Sequence, residues 1–546
     1  MMQAMSDVPR RRWYAALPVV GRPLLEALHP EEITWRRYGE KEDRPRRLRA
    51  QALSLFTILT GTGYLVWVSQ ALNHAHPLVG AGFFASEAAC LLLFTLAASS
   101  LWRLRFKPAE SPTADRTYSV DVFVPVCGEA LPVVAKTLRA AKAIRWDGPL
   151  HLFVLDDGAS PAVEALTREL GITYLSRRQA GVPLADAKAG NLNFGLAHSS
   201  SELLLVLDAD QVPRPEILEA LAGYFRFPRL AFVQSRQAYL VPDGDPFFNE
   251  DRVFYGAVQL ALDHHDTPIS CGSGVVYRRA ALDDIGGFAT WNLVEDLTTS
   301  YELHAHDWKS FYYPYPLTEG LAPEDVWGVY RQRGQWALDT MRLFFWDQPL
   351  FKRGLGVRKR LNYFLIGFTY LTVGFAIPFL FLIPPWTYVT GQVVLERSPI
   401  EFVFARGLYF AAMALALRYL AFGERPGRQF QMLVGYFPIY TLGTLRALRY
   451  PRSKPAYRAN NREKAGRRRW AVTAILPQLA IISANLFLPL YAAFAETAPA
   501  GVLAVNALVS AVAVWTLWTA LEAAVTEHRW SSHRHPMQVY GIPNPS

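Results

Sequence analysis

The chain has 546 residues, 51% of them hydrophobic and 13% aromatic, with a formal charge of +9 and three cysteines. That length holds several domains or one domain plus a membrane bundle, and the apolar share argues against a wholly soluble protein. Cys90, Cys127 and Cys271 lack CxxC spacing, so neither a disulfide framework nor a zinc site is indicated.

Residues 1–50 read as a basic cytoplasmic segment, polar, Arg-rich and without a cleavable-signal pattern. A hydrocarbon core of about 30 Å needs roughly 20 apolar residues in a helix. Residues 51–73 meet this without a charge, and 80–102 follow with one acid, Glu87, so 51–103 is expected to hold two transmembrane helices.

Residues 104–345 are the polar middle. "SVDVFVPV" (119–126), "LHLFVLDDG" (150–158) and "ELLLVLDAD" (202–210) are short, branched and apolar, as buried parallel strands are. Helical periodicity lies between them, with Ser160 as an expected N-cap and Gly171 as a stop. This order predicts a doubly wound α/β sheet with ligands beyond the strands' carboxyl ends. Asp156, Asp157, Asp208 and Asp210 all fall there. A "DAD" pair at a strand exit suits Mg2+ or Mn2+, which prefer hard oxygen ligands and share themselves with a phosphate. The adjacent His264 and His265 cannot share one face of an element, so a surface or acceptor-loop role is expected and not a metal site. His304 and His306 are expected to pack or cap near the helix after Asp296.

The apolar runs 361–386, 402–422, 470–494 and 499–521 give four further spans within 346–525. Arg406 and Arg418 are expected to snorkel from the ends of the second of these. The run 429–445 is short, contains Pro438 and has basic loops on both sides. Crossing would put one of those loops outside, against the positive-inside rule, so 429–449 reads as an interfacial helix ahead of a loop at 451–469. Residues 526–546 read as a short cytoplasmic tail, with both termini on the cytoplasmic side. The Arg clusters 10–12, 44–49, 358–360, 425–428 and 467–469 each lie beside an apolar run, which marks cytoplasmic loops and not a nucleic-acid surface.

"VPVCGE", "LDDG", "DAKAGNLN", "LDADQVPRP", "CGSGVVYRRAALDDIGGF", "VEDLTTSYELHAHDW" and "QRGQW" occur in the order seen in processive family-2 glycosyltransferases. Across about residues 50–525 the chain resembles that family, and within it the bacterial cellulose synthase catalytic subunits. The resemblance implies a multi-pass α-helical membrane protein with an inserted cytoplasmic α/β glycosyltransferase domain of the GT-A-like kind, in the inner membrane. It implies a UDP-sugar donor (UDP-glucose by default), a growing polysaccharide acceptor and an accessory export subunit as partners. By motif, Asp156 and Asp157 would hold the uridine and diphosphate region, Lys188 and Asn191 would line the donor pocket, and Asp208 and Asp210 would hold the metal. Asp296 would be the general base. Cys271, Gly272 and Ser273 would shape the acceptor site, and Gln332 and Trp336 would grip the terminal sugar.

The chain departs from that pattern in places. Gln335 stands where the family's Q-x-x-R-W motif has Arg, so either Arg333 or Lys188 supplies the charge near the diphosphate or catalysis is altered. Val294 stands where Thr commonly precedes Glu-Asp. "YRANNR" (457–462) matches the family's gating loop imperfectly, with Tyr457 and Arg462 as candidate donor contacts. With about twenty polar residues after the last expected span, no cyclic di-GMP-binding barrel is expected there. The competing readings are a non-processive glycosyltransferase acting on a lipid or short acceptor and a silent assembly subunit.

Overall fold

The computed structural model describes residues 44–103, 117–240, 245–323, 325–421, 426–451, 453 and 471–530. In chain order the elements begin with helices α1 (Arg44–Ala71) and α2 (Pro77–Ser100). The middle domain follows with β1 (Val120–Val126), α3 (Leu131–Lys142), β2 (Leu150–Asp156), α4 (Pro161–Leu170), β3 (Thr173–Leu175) and α5 (Ala187–Ala197). It continues through β4 (Leu203–Val206), β5 (Gln211–Pro213), β6 (Leu230–Leu240), β7 (Val275–Arg278), α6 (Glu295–Ala305) and β8 (Lys309–Leu321). After it come α7 (Val326–Trp346), α8 (Val357–Thr390) and α9 (Pro399–Leu420), then α10 (Pro426–Gly435), α11 (Phe437–Arg449), α12 (Leu476–Phe494) and α13 (Ala500–Trp530). Among the described residues six helices are long and apolar enough to cross a membrane: α1, α2, α8, α9, α12 and α13.

The eight strands form one sheet in the order β3-β2-β1-β4-β7-β6-β8-β5. Parallel pairing joins β3, β2, β1 and β4, as the branched apolar strands predict. The doubly wound expectation holds only for that half. β7 runs antiparallel to β4 because the chain arrives at the carboxyl end of β4 through Cys271–Gly274 and must run back. That reversal lays the 271–274 turn against the exit of β4, where Gly274 N–H donates to Val206 O at 2.9 Å.

Alternation along β1 sends Val122 and Val124 to one buried layer with Leu138, Leu205 and Leu218. Phe123 goes to the other layer, with Leu155, Leu192, Tyr277 and Leu303. Each such side chain contributes roughly 1.5–3 kcal/mol when fully buried. Helix α4 starts and stops as expected: Ser160 Oγ accepts from Val163 N–H, and Gly171 ends the helix at φ +64°. His304 packs as expected, buried with Nδ1 2.7 Å from Tyr363 Oη. His264 and His265 are half-buried and not at the open surface.

Two expectations for the membrane part need correction. Arg406 does not snorkel. It lies inside α9 and forms an ion pair with Glu87 of α2 at 2.7 Å, with Glu87 fully buried. The 429–449 segment is not one helix but two, α10 and α11, parted at Tyr436. Pro438 has no N–H to continue α10 and sits instead in the first turn of a new helix.

Candidate active site

The site is built from the carboxyl ends of β2 and β4, the start of α5, the turn before β7 and the start of α6. Lys188, in the first turn of α5, is its centre. Its ammonium lies 2.6 Å from Asp208 Oδ1 and 3.1 Å from Glu295 Oε1, and donates to Gly272 O at 2.8 Å. Burial alone would lower its pKa, but Asp208 and Glu295 hold it well above the ordinary lysine value.

Gly272 makes this approach possible. It adopts φ +75°, and a Cβ there would lie 3.0 Å from both Asp296 Oδ2 and Lys188 Nζ. Asp296 Oδ1 accepts from Leu297 N–H at 2.6 Å in the first turn of α6, where a helix favours negative charge. Burial, then the neighbouring Glu295 carboxylate, nevertheless push the Asp296 carboxyl up to about 8, with Lys188 acting in the opposite sense. Cys271 is held above the ordinary thiol range by burial. Ser273 is fully buried, and its Oγ accepts from Asp208 N–H at 2.9 Å. It therefore shapes the turn from behind and does not face an acceptor.

Asp156 and Asp157 sit at the end of β2, but their carboxylates are already engaged. Asp156 is fully buried and accepts from Gly158 N–H at 2.7 Å, Ser160 N–H at 2.8 Å and Tyr174 Oη at 3.0 Å. Asp157 is forked by Arg177 at 2.9 and 2.5 Å. The same guanidinium donates to Ala185 O and Ala187 O, pinning the loop that delivers Lys188. Asn191 does not line the pocket. It is buried behind β2, where Nδ2 donates to Leu155 O at 2.6 Å.

Asp208 and Asp210 flank the exit of β4, both partly exposed. Among the described residues no three His, Cys, Asp or Glu side chains gather around a common point. Two carboxylates are the donor set of a Mg2+ or Mn2+ site that is completed by phosphate oxygens, so these residues fit such an ion.

Helix α7 carries Gln332, Gln335 and Trp336 on one face, in register with Asp339 one turn on. Asp339 Oδ2 accepts from Val294 N–H at 2.5 Å, and Asn292 Nδ2 donates to Asp339 O at 3.2 Å. That face therefore leads to the segment carrying Asp296, and Trp336 is 39% exposed on it. Arg333 turns off that face. It is buried, donates to Phe247 O at 3.1 Å and stands 5.4 Å over the Tyr436 ring, so it does not supply the missing charge at the donor site. Tyr457 and Arg462 lie outside the described residues.

Three participants were not singled out from sequence. Glu295 completes the Lys188 cluster, Arg177 neutralises Asp157, and Glu129 is held above the ordinary carboxylate range by burial, with Asp208 and Asp156 raising it further. Arg177 lies in "SRRQ" after β3, and Glu129 and Glu295 fall within quoted motifs; charge in these loops was the available signal.

Residues 118–338 match the family model described as "Glycosyltransferase like family 2". The chain is 34% identical over 300 residues to a cellulose synthase catalytic subunit (UDP-forming) of Xanthomonas axonopodis pv. citri, covering 52% of this chain and 40% of that protein. It is 32% identical over 393 residues to cellulose synthase 1 of Komagataeibacter xylinus, covering 68% of this chain and 24% of that protein. The chain thus spans less than half the length of these curated relatives. In fold it is similar to a mannosyltransferase from Pyrobaculum calidifontis solved with GDP-mannose and Mn2+, at TM-score 0.50 and 19% identity, covering 67% of this chain and 99% of that one.

Proposed function

We propose, from the match of residues 118–338 to a glycosyltransferase family 2 model beside six helices long and apolar enough to cross a membrane, that the chain polymerises a β-linked glucan from a UDP-sugar and passes it across the membrane. The observation that carries this reading is the juxtaposition at Gly272. A buried carboxylate, Asp296, and the Lys188–Asp208 pair meet across the space of one absent side chain. Names of the relatives at 30–34% identity support UDP as the product and glucan as the polymer.

In this reading Asp296 takes the proton of the acceptor hydroxyl, whose oxygen forms a bond to the sugar's anomeric carbon. The bond from that carbon to the diphosphate breaks on the opposite face, so the configuration inverts and UDP leaves. A single base suffices because the diphosphate leaves without protonation. A divalent ion held by Asp208 and Asp210 would offset the charge developing on that diphosphate. Lys188 adds a fixed cation beside it, and Glu295 holds that ammonium in place. Trp336 stacks on an apolar sugar face while Gln332 bonds its hydroxyls. The basic loops beside the apolar helices support catalysis on the cytoplasmic side.

The test is direct. Protein in lipid nanodiscs is given labelled UDP-glucose and Mg2+ or Mn2+, and the product is sized and digested with linkage-specific glucanases. A long polymer is expected; short or lipid-linked products would establish the non-processive alternative. Asp296→Asn is expected to lower turnover by about 10²–10⁴-fold, the usual worth of a general base, with UDP affinity by calorimetry nearly unchanged.

A further inference from the structure

A cavity lies away from the acid cluster, among the membrane-type helices. It measures about 1560 Å3 and is bounded by α1, α9, α10, α12 and α13. Small-molecule sites usually hold about 300–1,000 Å3, so this space suits a larger ligand. Its mouth is cationic: Arg46 and Arg49 open α1, Arg418 closes α9 and Arg428 lies in the first turn of α10. Arg46 donates to Tyr419 O at 3.2 Å and Arg428 pairs with Glu522 at 2.9 Å. Arg49 and Arg418 are exposed and have no partner among the described residues.

Below the mouth the walls turn apolar, with Leu415, Leu486, Val514, Trp515 and Trp518. Between Ala507 and Trp518 helix α13 climbs about 16 Å at roughly 1.5 Å per residue. That is about half of a hydrocarbon core of roughly 30 Å, the depth of one leaflet. Trp515 and Trp518 are half exposed near the charged end, where indoles favour the headgroup level. The floor is polar, with Ser510 and Asn485.

We propose that this crevice binds an anionic glycerophospholipid of the leaflet on the arginine side, its phosphate among Arg46, Arg49, Arg418 and Arg428 and an acyl chain along α13. Charge complementarity selects the occupant. A neutral glycan has no use for the uncompensated charge of Arg49 and Arg418, whereas basic pockets between membrane helices bind acidic headgroups. The proposal rests on the membrane helices and is independent of the sugar chemistry, so its test reads lipid and not turnover.

Delipidated protein in detergent is titrated with phosphatidylglycerol or phosphatidylcholine of the same chains, and bound lipid is counted by native mass spectrometry. Phosphatidylglycerol is expected to bind at least about tenfold more tightly, the worth of two arginines at roughly 1 kcal/mol each being somewhat more than that. Arg49→Gln with Arg418→Gln is expected to remove that preference, about fivefold per arginine, with melting temperature and elution volume unchanged. Arg418→Lys retains it, and Ala511→Trp, which fills the shaft, releases both lipids alike. Equal retention of the two lipids, or a preference that survives the double substitution, overturns the proposal. Competition by inorganic phosphate would overturn it in favour of a free-anion site, and displacement by a cello-oligosaccharide in favour of a glycan path.

Discussion

Gly272 is the tightest point of the acid–lysine cluster. Alanine there meets both a positive φ, costing about 1–2 kcal/mol, and two close polar atoms. Gly272→Ala is expected to lower kcat by about 10²-fold by displacing Asp296 or Lys188, as ångström-scale misplacement does, with only a small fall in melting temperature. Steady-state kinetics beside a thermal melt checks this, and a kcat within about twofold of the parent would remove the cluster from the reaction. The Asp296 carboxyl adds a pH dependence. Its pKa is raised to about 8, so in the proposed role of base it would be protonated and idle below that pH and ionised above it. For the free enzyme kcat/KM is therefore expected to rise with pH through about 8. Glu295→Gln removes a raising charge and is expected to move that limb to lower pH. Of these residues, Asp296, Lys188 and Asp208 were legible because motif order named them. Glu295 and Arg177 were not, since their role depends on which loops meet in space.

Helix α7 shows what a single element contributes. One face holds Gln332, Gln335, Trp336 and Asp339, while Arg333 and Ala337 enter the packing against α10 and α11. The sequence made Arg333 look like a substitute for the absent motif arginine. A period of 3.6 residues turns it roughly 100° from Gln332, off that face, and this physical signal was available. Arg333→Ala is expected to leave the Phe247 and Phe248 carbonyls without their donor and to destabilise the protein by about 1.5–3 kcal/mol, the worth of hydrogen bonds to a charged group. Denaturant unfolding in micelles measures that, and a donor affinity that falls without loss of stability would return Arg333 to the site. The parallel strands were legible from branched apolar runs. The reversal at β7 was not, because strand direction depends on which end of the sheet the preceding loop reaches.

At the scale of the whole molecule, the domain is fastened to the membrane helices at identifiable points. His265 Nε2 lies 3.1 Å from Ser100 O at the end of α2, and Asn362 of α8 donates to Thr267 Oγ1 at 2.8 Å. The Glu87–Arg406 pair joins α2 to α9 within the bundle. Arg406→Ala leaves a buried carboxylate without its partner and is expected to cost about 3–5 kcal/mol, whereas Glu87→Leu with Arg406→Leu recovers most of that. A double-mutant cycle on thermal unfolding checks it, and additive losses would mean that the two charges are not coupled.

The strand order also has a consequence for the timing of synthesis. β5 adjoins the metal-type acids Asp208 and Asp210, yet its one neighbour in the sheet is β8, roughly a hundred residues later in the chain. A ribosome adding about 5–20 residues per second leaves β5 without a partner for roughly 5–20 s. Lys188 likewise awaits Glu295 and the turn at Gly272. A nascent chain therefore has no assembled Lys188 cluster until nearly the whole domain has emerged, and under the proposed function an unfinished polypeptide would not turn over its donor.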